Sequence, residues 1–308
     1  MSTAFFHHDD FEKHDMGAGH PESPERLRAI IAHLADLGLN ETLDWVRPEE
    51  ATRDQLRLVH PESYLHQLDM MAPTQGRVFT DPDTAMTPHT LRAARLAAGA
   101  NVEAVDMVLS GQATNAFVAA RPPGHHAERT RSMGFCFYNN IAIAARHALG
   151  FHGLQRIAIV DFDVHQGNGT VDAVQGDERI LMCSSFQHPF YPHSHAGAVA
   201  ENIVNVPISA GTTAADYREQ VEQRWLTALN DFQPQLVLIS AGFDAHQSDP
   251  LAELSLTADD YRWLTSLLLR VAAEHAGNRL VATLEGGYDL EALAECAGAH
   301  IEQLSRVR

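Results

Sequence analysis

The chain is poor in cysteine, in basic residues and in long apolar runs, and each scarcity removes a class of protein. Its three cysteines, Cys136, Cys183 and Cys296, have no ligand-like spacing, and an odd number argues against a disulfide framework. Lysine and arginine together number 22 against 40 aspartates and glutamates, a formal charge of −18. Phosphate backbones want the opposite sign, so nucleic acid is not expected as a partner. Such a field attracts cationic substrates, although solubility alone also accounts for it. No apolar run reaches membrane-spanning length, and the first residues lack the basic start and apolar core of a secretory leader. The expectation is a soluble, cytoplasmic protein with no membrane partner and an open oligomeric state. Pro/Gly/Ser linkers, charge runs and internal repeats are also missing. With 308 residues and 45% hydrophobic composition, residues 1–308 are expected to form one domain with a large core.

What the chain has in excess is histidine, 19 residues. Several cluster early, in His7-His8-Asp9-Asp10 with His14 and His20 beyond. A solvated loop is the default for that stretch, and a second metal site is the alternative.

Local signals alternate between strand and helix. Ser23-Pro24-Glu25 opens a helix, with Ser as N-cap and Pro at the first helical position. Leu27, Ile30, Ile31 and Leu34 share one face, and Gly38 stops it. Further helices are expected over about 90–109, 139–149 and 259–273. Short β-branched or apolar runs at 116–120, 157–160, 180–183, 236–239 and 280–284 read as strands buried on both faces. That alternation predicts an α/β fold around a mainly parallel sheet.

Four of these strands end in chemistry. The run 157–160 leads into Asp161, Asp163 and His165, and 116–120 leads into Arg121-Pro122-Pro123-Gly124-His125-His126. The run 236–239 leads into Ser240-Ala241-Gly242-Phe243-Asp244, and 280–284 into Glu285-Gly286-Gly287-Tyr288. In open α/β sheets, sites form outside the carboxyl ends of strands. Asp163 and His165 lie two apart and leave the same face of an extended segment. With Asp244 they make an Asp/His/Asp set suited to a catalytic metal with an open position, zinc first, with iron, cobalt or manganese also compatible. Alone, Asp-x-Asp-x-His is equally a polar loop with a capped turn. His125 and His126 beside a metal suit proton transfer, although a lone His pair is more often surface polarity. Tyr288 can place a phenol against a polarised carbonyl.

Together these motifs resemble the zinc-dependent histone deacetylase superfamily. That family includes bacterial acetylpolyamine amidohydrolases and acetoin-utilisation proteins. His20-Pro21-Glu22-x-Pro24-x-Arg26 and Gly134-Phe135-Cys136 add to the match, which spans nearly the whole chain. The resemblance implies the arginase/deacetylase fold, with a central sheet of about eight strands. It implies Asp163, His165 and Asp244 as ligands of Zn2+ (Fe2+ in cells) and His125 and His126 flanking the reacting water. Asp161 would pair with the first histidine and, with Ser184, hold a structural K+. Tyr288 would polarise the acetyl carbonyl. Gly134, Phe135, Tyr191, Leu251, Gly286 and Gly287 would line the substrate channel. The expected activity is metal-dependent hydrolysis of acetyl-lysine side chains in peptides or proteins.

Three departures bear on that expectation. Asn168 stands where class I members carry an aspartate and class II members an asparagine, so the sequence leans to class II. Leu251 follows Asp249-Pro250, where polyamine-selective relatives place a glutamate, which weakens a polyamine or small-amide substrate. Asp9, Asp10 or Asp83 at the rim could substitute for that glutamate. His89 takes a rim position where members vary; it could hydrogen-bond a substrate backbone or face solvent, and solvent is the expectation. A ureohydrolase would want a richer aspartate set, and a non-catalytic binder would have lost a ligand or Tyr288.

Overall fold

The computed structural model describes residues 2–197 and 199–307; Met1 and Arg308, the ends of the expected single-domain range, and Ala198 lie outside the described residues. Among the described residues there are ten strands: β1 (Thr3–Phe6), β2 (Leu43–Val46), β3 (Val78–Asp81), β4 (Thr84–Met86), β5 (Asn115–Val118), β6 (Ile157–Asp161), β7 (Ile180–Gln187), β8 (Ile203–Ile208), β9 (Leu236–Ala241) and β10 (Leu280–Leu284). Helices α1 (Glu25–Asp36), α2 (Arg53–Leu56), α3 (Glu62–Met71), α4 (Thr90–Ser110), α5 (Asn140–Gly150), α6 (Asn168–Val174), α7 (Ala214–Phe232), α8 (Ala258–His275) and α9 (Leu290–Ser305) connect them.

Eight strands form one sheet in the order β2-β1-β5-β10-β9-β6-β7-β8, every pairing parallel. Strands β5, β6, β7, β9 and β10 are buried along their whole length, which explains why apolar residues dominate them without alternating. Crossover helices hide both faces, and α1, α8 and α9 pack together on one flank. None of the described helices is long and apolar enough to cross a membrane.

The structure departs from the sequence reading at the N-terminus. Thr3–Phe6, for which the sequence reading named no element, is an interior strand between β2 and β5. Residues 9–13 form a short 3-10 turn that buries Phe11, and His14 is fully buried. The expected solvated loop is therefore core structure in part: His8, Asp10 and His14 are buried, Asp9 is exposed, and His7 and His20 are half-buried. Helix α1 begins at Glu25 without a side-chain cap; the Ser23 carbonyl accepts from the Arg26 N–H at 3.2 Å instead. A four-residue strand such as β1 has no periodicity to betray it, so only its neighbours identify it.

Candidate active site

The strands that end in polar motifs, β5, β10, β9 and β6, are consecutive in the sheet. Register aligns their tips: Asp161 lies opposite Ser240, Ser240 opposite Thr283, and Thr283 opposite Val118. The residues immediately beyond converge on one point. Asp163, His165 and Asp244 each present a ligand atom, and these atoms lie within 4.8 Å of one another. His165 Nδ1 is 3.1 Å from Asp163 Oδ1 and 3.0 Å from Asp244 Oδ2.

The backbone leaves room for that cluster only because of two glycines. A Cβ on Gly242 would fall 2.1 Å from Asp163 Oδ2, and one on Gly286 would fall 2.1 Å from Asp244 Oδ2. The carboxylates are further fixed by main-chain donors: Val164 N–H to Asp244 Oδ1 at 2.9 Å and Gly286 N–H to Asp163 Oδ2 at 2.8 Å.

Electrostatically the niche asks for positive charge. Burial, reinforced by Asp163, pushes the Asp244 carboxyl up to about 7. Burial would also raise Asp163, but the neighbouring histidines His125, His165 and His126 outweigh it and hold it below the usual range. Burial opposes protonation of His165, yet its hydrogen bonds to the two carboxylates win and lift it to about 10. Among the described residues neither carboxylate has a lysine or arginine partner; their ion pairs are with histidines. Two buried carboxylates and one imidazole on a crowded, main-chain-braced tip match the donor set of a catalytic metal with an open position. The residues present therefore fit a divalent cation.

Beside this cluster stand His125 and His126, ring centroids 4.0 Å apart. Their backbone is clamped by Glu285, whose Oε2 accepts the N–H groups of Gly124 at 2.7 Å and His125 at 3.1 Å, while Ser240 Oγ donates to Oε1. Burial pushes the Glu285 carboxyl up to about 7. His125 Nδ1 meets Asp161 Oδ2 at 3.1 Å, and His126 Nδ1 meets Asn168 Oδ1 at 2.8 Å. Burial lowers both imidazoles, but at His125 the carboxylates of Asp163, Asp161 and Glu285 outweigh it and hold the ring well above its ordinary value. At His126 the charges of His125 and His165 add to burial, so this ring is held well below.

A cavity of about 260 Å³ opens over these groups. Gly134, Phe135, Tyr191 and Leu251 line it with His126, His165, Tyr288, Asp83 and Phe190. Phe135 sits at φ +68° and is held there by its N–H donating to Thr84 Oγ1 at 2.9 Å. Phe135 lies edge-on to Tyr288, 6.0 Å between centroids, and Tyr191 edge-on to His126 at 5.2 Å. Gly286 and Gly287 do not line the cavity; they pack beneath its floor, Gly286 against the Asp163 and Asp244 carboxylates and Gly287 against Phe243 and Leu293. His89 is exposed at the start of α4 and is likewise absent from the lining. Ser184 lies opposite Asp161 on β7, and its hydroxyl donates to Asn205 at 3.0 Å.

Four contributors were missed as site elements. Phe190 stacks on His165 at 5.6 Å. Glu128 Oε1 accepts from the Asn168 carboxamide at 2.7 Å. Asp249 accepts from the Leu251 N–H at 2.9 Å and the Tyr288 N–H at 2.7 Å, tying the two cavity walls together. Arg26 donates to the carbonyl of Gly287 at 2.7 Å and lies 5.0 Å over the Tyr288 ring. Of the acidic rim residues considered, only Asp83 reaches the cavity; Asp9 pairs with Arg47, and Asp10 with Lys13 and Arg92.

The sequence profile of a family described as "Histone deacetylase domain" matches residues 20–304. A "Histone deacetylase-like amidohydrolase" of Pseudomonas aeruginosa is 38% identical over 94% of this chain and 78% of its own length. The "Polyamine deacetylase HDAC10" of Mus musculus is 37% identical over 99% of this chain and 48% of its own. Among solved structures, the "HDA15 HD domain" superimposes with a TM-score of 0.93 at 34% identity, covering 98% of this chain and 89% of that one.

Proposed function

Because the chain belongs to the histone deacetylase family, we propose that residues 1–308 act as one metal-dependent domain that hydrolyses N-acetylated primary amines, acetyl-lysine side chains first. The observation that carries this reading is the cavity itself. Phe135 and Tyr191 line an approach that ends on His126, His165 and Tyr288, with the carboxylates of Asp163 and Asp244 directly against His165. An extended acyl-amine fits between aromatic walls, which strip water from the reacting amide.

Asp163, His165 and Asp244 would hold the metal, Zn2+ by donor type, with Fe2+ the cellular alternative. When bound, it supplies Lewis-acid polarisation of the amide carbonyl and lowers the pKa of water. The protein's own groups do the rest. Tyr288 donates a hydrogen bond to the carbonyl oxygen as negative charge develops there. His126 has Nδ1 committed to Asn168, so Nε2 is the atom free to take a proton from the attacking water. The oxygen bonds to the carbonyl carbon, the C–N bond breaks, and an imidazolium of the His pair returns its proton to the amine nitrogen. Acetate and a free amine leave. Asp161 orients His125 and supports its positive charge. Asn168 in place of a carboxylate supports a class II type of assignment. A structural K+ between Asp161 and Ser184, which face each other on adjacent buried strands, belongs to the same reading.

Acetylated polyamines form the second reading, favoured by Asp83 at the cavity wall and by the −18 charge. Leu251 weighs against it, because an apolar side chain stands where a second ammonium would need a carboxylate. The test is turnover of an acetyl-lysine peptide against an acetylated polyamine, metal-loaded and with a chelated control. Peptide turnover abolished by chelation supports the proposal. Turnover of polyamine alone moves the substrate class, and turnover of neither removes the activity.

A further inference from the structure

Among the described residues, one cluster outside the active site has the donors of a metal site. We propose that Asp106, His147 and His152 form a second, distal site for a divalent transition-metal ion of the zinc type. Asp106 lies in the last turns of α4, His147 near the end of α5, and His152 in the turn after it. Both helices end just before the amino ends of β5 and β6, whereas the catalytic residues follow the carboxyl ends of those strands. The cluster is therefore on the opposite edge of the sheet from the cavity and shares no residue with it.

Three features point to metal rather than to incidental polarity. First, both imidazoles aim the same nitrogen at one oxygen: His147 Nε2 is 2.7 Å and His152 Nε2 is 2.6 Å from Asp106 Oδ1, and the three atoms lie within 4.8 Å of one another. Second, among the described residues Asp106 has no lysine or arginine partner; its ion pairs are with these two histidines. Third, the rings are braced. Phe151 stacks on His147 with centroids 5.1 Å apart and meets His152 edge-on at 5.1 Å. This bracing gives a local reason for Phe151, 75% exposed, to be where it is.

Two imidazoles and a carboxylate match zinc, copper or nickel better than magnesium or calcium, which favour all-oxygen shells. Tetrahedral zinc bonds of about 2.0–2.1 Å space the donors about 3.3 Å apart. The Asp106 carboxylate would have to swing back by roughly half an ångström to reach that spacing. It is free to do so, being 43% exposed, and the same exposure gives the ion its entry path. With three protein donors, water would complete the shell. Such an ion would tie the end of α4 to the α5–β6 turn and stabilise the chain by mass action.

The test is a Zn2+ titration of the enzyme already carrying its catalytic metal, with bound metal counted after desalting and the melting temperature recorded. Two equivalents per chain are expected for the wild type, one for Asp106→Asn, which keeps the acceptor oxygen, and one for His152→Gln. Deacetylase turnover is expected unchanged in both. Zinc should raise the melting temperature of the wild type by a few degrees and that of neither variant. Asp244→Ala should lose the catalytic equivalent and keep the distal one, which separates the two sites. A wild type that stops at one equivalent, or variants that retain the second, would show a hydrogen-bonded triad only and overturn the proposal.

Discussion

The carboxamide of Asn168 holds His126 in place: its oxygen lies 2.8 Å from His126 Nδ1. Its nitrogen is spoken for by Glu128 at 2.7 Å, so the amide has one orientation and His126 one tautomer. Glu128→Ala should therefore lower kcat/KM by about tenfold, the usual lower cost of losing an orienting partner. Its metal content should stay unchanged. A variant with wild-type kinetics would mean that Asn168 needs no help.

Tyr288 should separate binding from chemistry. Tyr288→Phe is expected to keep its metal and lose turnover by about 10²–10³-fold, as for removal of one oxyanion donor. Metal analysis beside steady-state kinetics checks this, and undiminished kcat would remove the phenol from the reaction.

Gly286→Ala should behave as a metal-loading mutant. The added methyl would meet Asp244 Oδ2 at 2.1 Å and Asp163 Oδ2 at 2.6 Å. Bound metal should fall well below one equivalent at the catalytic site while circular dichroism stays native. Full occupancy would show that the carboxylates can move aside.

Leu251 offers a specificity test. Its N–H is fixed by Asp249, so a longer acidic side chain at 251 stays at the cavity wall. Leu251→Glu should shift the ratio of kcat/KM for acetylated polyamine over acetyl-lysine peptide by about tenfold toward the polyamine, or ~1.4 kcal/mol. An unchanged ratio would place selectivity elsewhere, with Asp83 the next residue to change.

Stability should fall on the acid side partly through His300. Burial among Phe117, Phe162 and Phe243 lowers its imidazole to about 3, whereas in an unfolded chain it titrates near 6.5. Between those values the unfolded state holds the additional proton. The contribution is thus complete above about pH 6.5 and is lost as pH falls toward 3. His300→Phe should flatten the decline in melting temperature between pH 6.5 and 4.5. Thr265, which hydrogen-bonds His300 at 2.7 Å, still donates to the Tyr261 carbonyl at 2.7 Å. An equally steep decline would assign the acid sensitivity to other groups.

By itself the sequence determined five of the buried strands, the ionisable tips that follow four of them, and the family those tips resemble. Each of those signals is local: β6 is an unbroken apolar run, and Asp163 and His165 follow it within four residues. Tertiary structure alone decided which tips are neighbours, because the order β5-β10-β9-β6 joins strands up to 165 positions apart, as in the pairing of Leu280 with Asn115. It also decided the fate of the early histidines. His14 is buried because Arg121, from the motif before His125, donates to its carbonyl and to that of Phe11 and pairs with Glu22. The contacts of Glu128, Asp249 and Arg26 stayed hidden for the same reason, although Arg26 and Asp249 lie in motifs the sequence displays. Nothing in their immediate sequence marks a polar side chain whose partner is a loop from another strand, and that partnership exists only once the sheet has brought the loops together.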